Sequence, residues 1–512
     1  MKVYLSKIQN KQQITFLFNS HFIRLKNSNE STDNDMFVIR YTRKILNSKS
    51  LIHSKLSKMS LSTDSDSLKT WQVDQSKMNK IITPELIKLV DMFHKYDHEI
   101  RIAGGAVRDL LSGEKIPDDI DLATTATPTE MKDMFEKESI RTFNEQGEKH
   151  GTVCARIGKM FKTILYFVDQ IKACVLFPDD KENFEVTTLR IDKVTDGRHA
   201  EVEFTKDWMI DAERRDLTVN SMFLDLSGTV YDYFNGKEDL EKKRVAFVGT
   251  ADARIKEDYL RIFRYFRFYG RLAKDEDNHE TETINAIIAN KEGLGKISGE
   301  RIWTEWKKIL TGSMGGPLTL KMIEIGLGPY MGLPQETLNE RFRKFWSTKC
   351  QKTHYINSLT QLLKNQDDMM KLHARLKMSG YERDMGLFLL QNRDIPADLK
   401  HWQKVYLLST VTKNSNHLRD FIEQSIRSND QVPSDVLEGF LTWEAPKFPI
   451  SGKDLIESNI VPRGKLVGIC LNKLKEIWID GDFTADADHL LKVELPKVAE
   501  QLQQNSPQKN KK

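Results

Sequence analysis

The stretch RIAGGAVRDLLSGEKIPDDIDLATT, residues 101–125, decides the fold of this chain. It opens with a β-type apolar segment that ends in Gly104 and Gly105, and residues 107–111 predict the start of a helix. Two glycines at this turn let the backbone approach a bound group closely, and the N–H groups of a helix start favour phosphate oxygens. The Arg108 guanidinium has the geometry to hold a phosphate through two hydrogen bonds. The stretch therefore predicts a strand, a turn and a helix that together bind phosphate.

Two aspartates, Asp119 and Asp121, follow this turn. Alternate residues of a strand project from one face, so both carboxylates should point together while Ile120 and Leu122 point into the core. Paired oxygen ligands beside a phosphate site are typical of Mg²⁺ in nucleotidyl transfer. Asp118 should lie on the other face and take no part. An Asp-x-Asp by itself is also typical of a solvated acidic turn, and only the glycine turn upstream favours the metal site.

The run RIKEDYLRIFRYFRFYGRL, residues 254–272, predicts one helix with a charged stripe opposite an aromatic face. The simpler interpretation is a salt-bridged helix in which Asp258 pairs with Arg261. In the functional interpretation, Asp258 accepts from the exocyclic amine of cytosine or adenine, and Arg261 donates to the ring nitrogen beside it. Guanine and uracil present the wrong pattern, and Arg264 and Arg267 remain for phosphate.

Six motifs, in order, resemble those of the bacterial and eukaryotic type of tRNA CCA-adding nucleotidyltransferase, in the superfamily of DNA polymerase β and the poly(A) polymerases. They are GGAVRD, DIDLATTATP, RRDLTVNSM, DYFNG, EDYLRIFRYFRF and ISGERIWTE. The match covers roughly residues 85–310. The resemblance implies an α+β fold: an N-terminal polymerase-β-like head with a mixed sheet and helices, followed by an all-α neck, body and tail that hold the acceptor end of tRNA.

The resemblance also implies a role for individual residues. Asp119 and Asp121 would be catalytic and would hold two Mg²⁺ ions, with CTP and ATP as substrates. The remaining implied contacts are to the nucleotide. They are Gly104, Gly105 and Arg108 for its phosphates, Arg215 and Asp216 for the triphosphate or ribose, Asn220 in the same segment, Asp258 and Arg261 for the base edge, and Arg264 and Arg267 to complete the site.

Two other functions stay open on the sequence. A bacterial-type poly(A) polymerase shares the head motifs, and CTP use would separate it from a CCA-adding enzyme. A tRNA-binding protein with an inactive head belongs to another class, and the intact pair of Asp119 and Asp121 argues against it.

Composition sets broad limits on these functions. The chain has 512 residues, a net charge of +4 and 30% charged residues, which suits a helix-rich protein of several domains. This net charge is too small to indicate a nucleic-acid partner by itself. The four cysteines lack a C-x-x-C spacing, which argues against a zinc site or a disulfide framework. No apolar run reaches the ~20 residues that span a bilayer, so we expect no membrane partner.

The sequence also predicts domain boundaries. The expected segments are a transit peptide or disordered basic arm at 1–75, a head at 82–245, a helical neck with the base-reading helix at 246–310, a helical body and tail that bind tRNA at 311–500, and a disordered tail at 501–512. The basic, Ser-containing N-terminus indicates a mitochondrial address. Initiation at Met36 or Met59 would add internal starts, and Met59 would leave a cytosolic or nuclear form.

Within the head, residues 158–177 form an atypical insert. The apolar segment GKMFKTILYFVDQIKACVLFPDDK separates two β-type runs, HGTVCARI and ENFEVTTLRID, which we expect to pair beside the aspartate strand. In the family that the chain resembles, a short loop joins these strands. Gly158 and Lys159 are what an in-frame GGT-AAG splice donor would encode, so our hypothesis is a translated short intron, which cDNA sequencing would test.

Overall fold

The computed structural model describes residues 68–504 apart from 114–115, 118, 144, 159–163, 169–170, 176–181, 196–199, 349–352 and 410–414. The predicted transit segment with its internal starts, the terminal residues 505–512 and Asp118 lie outside the described residues. The described residues from Lys69 onward group into one compact unit.

An eight-stranded mixed sheet forms the head. The strands of the head are β1 Lys69–Gln72, β2 Ile100–Ala103, β3 Asp121–Thr124, β4 Arg141–Phe143, β5 Thr152–Ile157, β6 Ile164–Val168, β7 Ile171–Val175, β8 Glu182–Thr188, β9 Arg190–Thr195, β10 Ala200–Phe204, β11 Phe223–Leu224 and β12 Thr229–Asp232. The strand order of the eight-stranded sheet is β1-β12-β11-β2-β3-β8-β5-β4, and β3 and β8 are its parallel neighbours.

Short helices pack on this sheet. They are α1 Gln75–Met78, α2 Pro84–Lys95, α3 Gly105–Ser112, α4 Pro128–Lys137, α5 Trp208–Glu213 and α6 Gly236–Glu241. Thr83 and Thr127 cap α2 and α4 through their side chains, and a proline occupies the first turn of each. The apolar faces of α1 to α4 share one core with the strands, in which Phe93 and Phe135 are fully buried. Trp208 of α5 belongs to a smaller cluster on the sheet, and Leu240 of α6 belongs to the core of the neck.

The head begins earlier than predicted. β1 pairs antiparallel with β12, and Lys69 lies opposite Asp232. The boundary between the basic arm and the head therefore lies before Lys69, not at residue 75 or 82. A four-residue edge strand is too short to show a periodic pattern in the sequence, and its pairing partner lies far along the chain.

The two β-type runs pair as predicted. β5 and β8 are antiparallel, with Thr152 opposite Thr187 and Ile157 opposite Glu182, and β8 lies beside the aspartate strand β3. The insert between them contains β6 and β7, which form a two-stranded sheet of their own. The insert is thus an additional hairpin between two strands whose ends already face each other.

The neck contains a helix break that the sequence did not predict. Residues 254–272 form two helices, α7 Ala251–Glu257 and α8 Arg261–Leu272. Asp258 between them is extended, with φ −150° and ψ 106°, so it leaves the predicted helical stripe. The side chains of Arg261, Arg264 and Arg267 remain on one helix.

Helices make up the rest of the described chain. They are α9 Thr281–Asn290, α10 Gly299–Thr311, α11 Gly315–Glu324, α12 Gly328–Met331, α13 Asn339–Thr348, α14 Tyr355–Thr360, α15 Gln366–Leu376, α16 Gly380–Gln391, α17 Leu399–Leu408, α18 Ser415–Arg427, α19 Ser434–Thr442, α20 Gly452–Glu457, α21 Lys465–Asp480, α22 Ala487–His489 and α23 Leu495–Gln504. A 3₁₀ segment, Lys291–Lys296, precedes α10.

Neck and body share one large core, and the C-terminal helices have a separate one. The fully buried Trp402 and nearly buried Trp478 belong to these cores, as expected of most tryptophans. α23 continues to Gln504, so the predicted disordered tail at 501–512 begins too early. Among the helices of the described residues, none has the length and apolar character to cross a membrane.

Candidate active site

A cleft of about 1370 Å³ is lined by residues of the head sheet and the neck helices. Every site residue predicted from the sequence lines this cleft. These residues are Gly104, Gly105, Arg108, Asp119, Asp121, Arg215, Asp216, Asn220, Asp258, Arg261, Arg264 and Arg267. The fold thus brings together motifs that are widely separated along the chain.

The glycine turn connects β2 to α3. Gly104 has φ 65°, a left-handed conformation that favours glycine. A Cβ atom there would also lie 3.0 Å from Nη1 of Arg215, so the position has little room for a side chain. Gly105 begins α3, so the predicted helix is present but starts two residues before residue 107. The turn is therefore built for a close approach of backbone and ligand.

Arg108 is almost fully buried beneath this turn, with 3% of its surface exposed. Its Nε donates to Asp109 at 2.9 Å, its Nη1 donates to the Asn220 side-chain oxygen at 2.5 Å, and its guanidinium lies 4.7 Å from the Phe268 ring centre. Burial lowers the pKa of Arg108, and the Asp109 carboxylate opposes this. An arginine stays charged nonetheless, so the cleft contains a fixed positive charge beside the glycine turn.

Three carboxylates, those of Asp119, Asp121 and Glu185, line the same cleft. Asp121 begins β3 and lies in register with Glu185 of the parallel strand β8, so both side chains share a face of the sheet. Asp119 precedes Asp121 and also lines the cleft. Burial raises the pKa of Asp121, the charges of Glu185 and Asp119 raise it further, and Arg215 opposes them. The negative charges repel one another in the absence of a cation.

This donor set fits a divalent metal ion. Among the described residues, no three His, Cys, Asp or Glu side chains form a ready-made metal cluster. However, hard oxygen ligands that repel one another are those that Mg²⁺ prefers, and a bound cation would relieve the repulsion that raises the pKa of Asp121. Asp119 and Asp121, with Glu185 beside them, are the residues that would hold it.

Asp211 anchors the two arginines that precede Asp216. Its side chain is 1% exposed and accepts from Nε of Arg214 at 2.8 Å and from Nη2 of Arg215 at 3.0 Å. Burial alone would raise the pKa of Asp211, but the guanidinium groups of Arg215 and Arg214 hold it below its ordinary value. In the sequence, only the spacing of three and four residues between Asp211 and the arginines signals this anchor.

Asp216 is buried and acts on its neighbours within the protein. It accepts from Nε of Arg264 at 2.5 Å, from the Asn220 side chain at 3.2 Å and from the Leu217 N–H at 2.9 Å. Burial favours its neutral form, yet the Arg264 charge and these hydrogen bonds keep the pKa of Asp216 below its usual value. Asp216 therefore orients Arg264 and Asn220, and its contact with a ribose stays a prediction.

The two predicted base-reading residues do not pair with each other. Asp258 accepts from Nη2 of Arg301 at 2.8 Å, and Arg261 donates through Nη1 to Glu257 at 2.6 Å and through Nη2 to the Arg214 carbonyl at 2.9 Å. The ion pair of a continuous helix is therefore wrong. The break before α8 separates the two residues and gives each a different partner.

Arg267 completes the charged wall of the cleft. Its Nη1 donates to Oε1 of Glu305 at 3.0 Å. Nζ of Lys308 lies 3.5 Å from the same oxygen, so the two cations share this carboxylate. Glu305 is 6% exposed. Burial lowers the pKa of Arg267, and the Glu305 charge opposes this effect.

Sequence reasoning missed four residues that shape the site. They are Glu185, Glu257, Arg301 and Glu305, and each except Glu305 lines the cleft. Arg301 and Glu305 are four residues apart within the motif ISGERIWTE, so a helical reading would have placed them on one face. Glu185 carried no local signal, because only the pairing of β3 with β8 brings it beside Asp121.

Two family models match parts of the chain. Residues 100–246 match the Poly A polymerase head domain, and residues 279–332 match the probable RNA and SrmB-binding site of polymerase A. The first match spans the glycine turn, the aspartates and the arginine pair. The second includes the whole of α10 and thus Arg301 and Glu305.

Comparison with whole proteins is more specific. The chain is 44% identical over 430 residues to the mitochondrial CCA tRNA nucleotidyltransferase 1 of Mus musculus, covering 82% of this chain and 92% of the relative. The Homo sapiens protein of that name is 44% identical over 435 residues, covering 82% and 92%. The fold resembles the CCA-adding enzyme of Bacillus stearothermophilus in complex with CTP, with a TM-score of 0.64 and 23% identity over 83% of this chain and 100% of that chain. From its identity over most of the length of these relatives, the chain belongs to the family of CCA tRNA nucleotidyltransferases.

Proposed function

We propose that this nucleotidyltransferase adds C, C and A in turn to the 3′ end of tRNA, using CTP and ATP and releasing pyrophosphate, in tRNA maturation and repair. One observation carries the proposal: the carboxylates of Asp119 and Asp121 line the same cleft as the base-reading residues Asp258 and Arg261. A site with both elements selects a nucleotide and transfers it without a nucleic-acid template.

The carboxylates supply the metal site of this proposal. We infer that Asp119 and Asp121 hold two Mg²⁺ ions, with Glu185 beside them. When bound, such ions lower the pKa of the primer hydroxyl and neutralise charge on the leaving pyrophosphate. The protein groups do the positioning: Gly104 and Gly105 admit the triphosphate, and fixed arginine charges bind its oxygens without reorganisation.

The base edge is read by groups already held in place. Arg261 uses three of its N–H bonds on Glu257 and two backbone carbonyls, which orients the guanidinium and leaves its other donors for the ring nitrogen of the base. Asp258, fixed by Arg301, has acceptor lone pairs for an exocyclic amine. Cytosine and adenine offer this donor and acceptor pattern, while guanine and uracil do not.

The match to a poly(A) polymerase head favours a second candidate, a bacterial-type poly(A) polymerase. The test is to incubate the purified chain with a tRNA transcript that lacks CCA, with Mg²⁺ and with CTP or ATP, singly and together. Two additions with CTP and a third that requires ATP support CCA addition. Continued addition with ATP alone supports the polymerase, and binding without addition supports a tRNA-binding protein with an inactive head.

We further propose that the helical body and tail, residues 311–500, bind the tRNA so that its acceptor end reaches the cleft. The second family match, to a probable RNA-binding site at residues 279–332, overlaps the beginning of this segment at residues 311–332 and supports the proposal there. Because neck and body share one core, the cut is made after Trp443, which removes only the helices of the separate C-terminal core. This truncation should weaken tRNA binding in a filter assay, and unchanged affinity would contradict the proposal for the tail.

The relatives are named mitochondrial, which supports import of the longest form. We propose that initiation at Met1 or Met36 gives the mitochondrial protein and that initiation at Met59 gives a cytosolic or nuclear form. Blocking initiation at Met1 and Met36 should abolish import of the tagged protein. Import that continues unchanged would contradict this assignment.

A further inference from the structure

At the helix break, residues 258–260, the ring of Tyr259 packs directly against Gly293. Asp258 leaves the helix with φ −150°, and its Oδ1 accepts from the Leu260 N–H at 3.0 Å. Leu260 then turns into the core with 8% of its surface exposed. Tyr259, between them, is half-buried and packs on the 3₁₀ segment Lys291–Lys296. The position of the Tyr259 ring therefore affects the positions of both adjacent residues, Asp258 and Leu260.

The contact leaves no space for a side chain on the glycine. A Cβ atom on Gly293 would lie 2.0, 2.1 and 2.3 Å from three ring carbons of Tyr259. Gly293 does not have the positive φ that would itself require glycine. Space alone explains this glycine, because the tyrosine ring lies directly against its Cα.

The 3₁₀ segment has little freedom to retreat from the ring. On its other side, Nη2 of Arg375 donates to the Leu294 carbonyl at 3.3 Å and to the Ile297 carbonyl at 3.1 Å. A Cβ on Gly299 would lie only 1.6 Å from the Arg375 carbonyl oxygen, so the start of α10 is also close-packed against the body. If a side chain is added at Gly293, the Tyr259 ring must therefore move, because the 3₁₀ segment is held on the side of Arg375.

We propose that the contact of Tyr259 with Gly293 determines nucleotide specificity by positioning the base-reading residues Asp258 and Arg261. This inference rests on the base-reading role proposed above. Neither Tyr259 nor Gly293 lines the cleft, so both are positioning residues that act through their neighbours. The contact of the Tyr259 ring with Gly293 holds the helix break in place. It thereby fixes the Asp258 carboxylate and the start of α8, which carries Arg261, relative to each other.

The size of the expected effect follows from the geometry. With Gly293→Ala, the ring would have to move from 2.0 Å to the 3.4 Å at which ordinary contact begins, a shift of about 1.4 Å. Displacements of ~1 Å in a positioned site cost up to about 10²-fold in rate. We expect discrimination between CTP and UTP, and between ATP and GTP, to fall by roughly 10-fold or more, with a smaller loss in CTP addition itself.

The chain offers a matched control in the same segment. A Cβ on Gly295 would meet nothing within 4 Å, so Gly295→Ala makes the same chemical change two residues away without a clash. The experiment measures kcat/KM for each nucleotide on tRNA that lacks CCA and on tRNA that ends in CC, for both variants and for Tyr259→Ala with and without Gly293→Ala. If the ring transmits the effect, Gly293→Ala changes selectivity no further in the Tyr259→Ala background.

The outcomes separate this inference from the proposed function. If Asp258→Ala destroys selectivity while Gly293→Ala behaves like Gly295→Ala, base reading stands and the positioning role is wrong. If Asp258→Ala keeps selectivity, the base-reading role itself fails. An equal loss for all four nucleotides in Gly293→Ala would show a purely structural contact. Should that variant not fold, Tyr259→Leu removes the flat ring, and retained selectivity there overturns the proposal.

Discussion

At the scale of single residues, the site contains a carboxylate, Asp121, whose charged form is disfavoured by burial and by neighbouring negative charges. The raised pKa of Asp121 means that the folded protein without metal carries a repulsive cluster at neutral pH. For an acid whose pKa is raised on folding, stability is lost as pH rises through that pKa. The same carboxylates that fit a metal ion therefore reduce the stability of the metal-free protein.

This trade-off predicts opposite effects of Asp121→Asn on activity and stability. Nucleotide addition should fall by about 10³-fold or more, since a metal ligand is lost. The melting temperature of the metal-free protein at pH 7 should rise, by on the order of 1 °C, because burial and the repulsion from Glu185 and Asp119 no longer act on a charge. Calorimetry with a chelator would measure this, and a lower melting temperature would contradict it.

A second residue-scale prediction concerns Glu185. Its charge helps to raise the pKa of Asp121, and a proton on Asp121 competes with the metal ion. Glu185→Gln should therefore shift the acid limb of the pH–activity profile to lower pH, whatever it does to the maximum rate. Glu182→Gln removes the same charge from the same strand and should leave the limb in place. A shift common to both variants would show that Asp121 is not the titrating group.

At the scale of secondary-structure elements, α8 connects the site to the core. One face carries the arginines of the cleft, and the other buries an aromatic cluster that contains Tyr265 and Tyr269. His279 lies in this cluster, 3.8 Å from Tyr269 between ring centres and 2.9 Å from the Tyr265 hydroxyl through Nδ1. Burial lowers the pKa of His279 to about 4.

The lowered pKa predicts an acid-sensitive neck. Below pH 6.5 the unfolded chain gains a proton at this histidine, while the folded chain does not until about pH 4. The free energy of unfolding should therefore fall as pH decreases through this window. His279→Phe should reduce that dependence, measured by denaturant unfolding at pH 7.0 and pH 5.0. His94→Phe, an equivalent change on α2 in the head, is the control. An equal change in the free energy of unfolding between the two pH values in wild type and His279→Phe would refute the prediction.

At the scale of the whole molecule, the head tolerates an extra hairpin because of where it is attached. Ile157 and Glu182 are already register partners when the chain leaves β5 and returns to β8. The two strands of the insert pair with each other and not with the main sheet. The sheet that carries Asp121 and Glu185 is therefore complete without the insert.

Replacing residues 158–181 by a two-residue Asn-Gly turn should thus preserve both fold and nucleotide addition. We expect the activity of this variant to lie within about threefold of the full chain, a change of less than 1 kcal/mol. The comparison is made on purified proteins with the tRNA assay described above. Loss of the fold on deletion would assign the insert a structural role and argue against a translated intron.

The sequence by itself determined the features that depend on near neighbours. The turn at Gly104 and the burial of Leu122 follow from local backbone preference and side-chain alternation, and both were confirmed. Asp119 and Asp121 both line the cleft, but β3 begins at Asp121, so Asp119 lies outside the strand that the alternation assumed. Only the tertiary structure decided the short strand at Lys69, the break in the neck helix, and the partners of the site residues. Arg301 reaches Asp258 across 43 positions, and Glu185 meets Asp121 only through strand register. Such contacts depend on packing between distant segments, which no local pattern encodes.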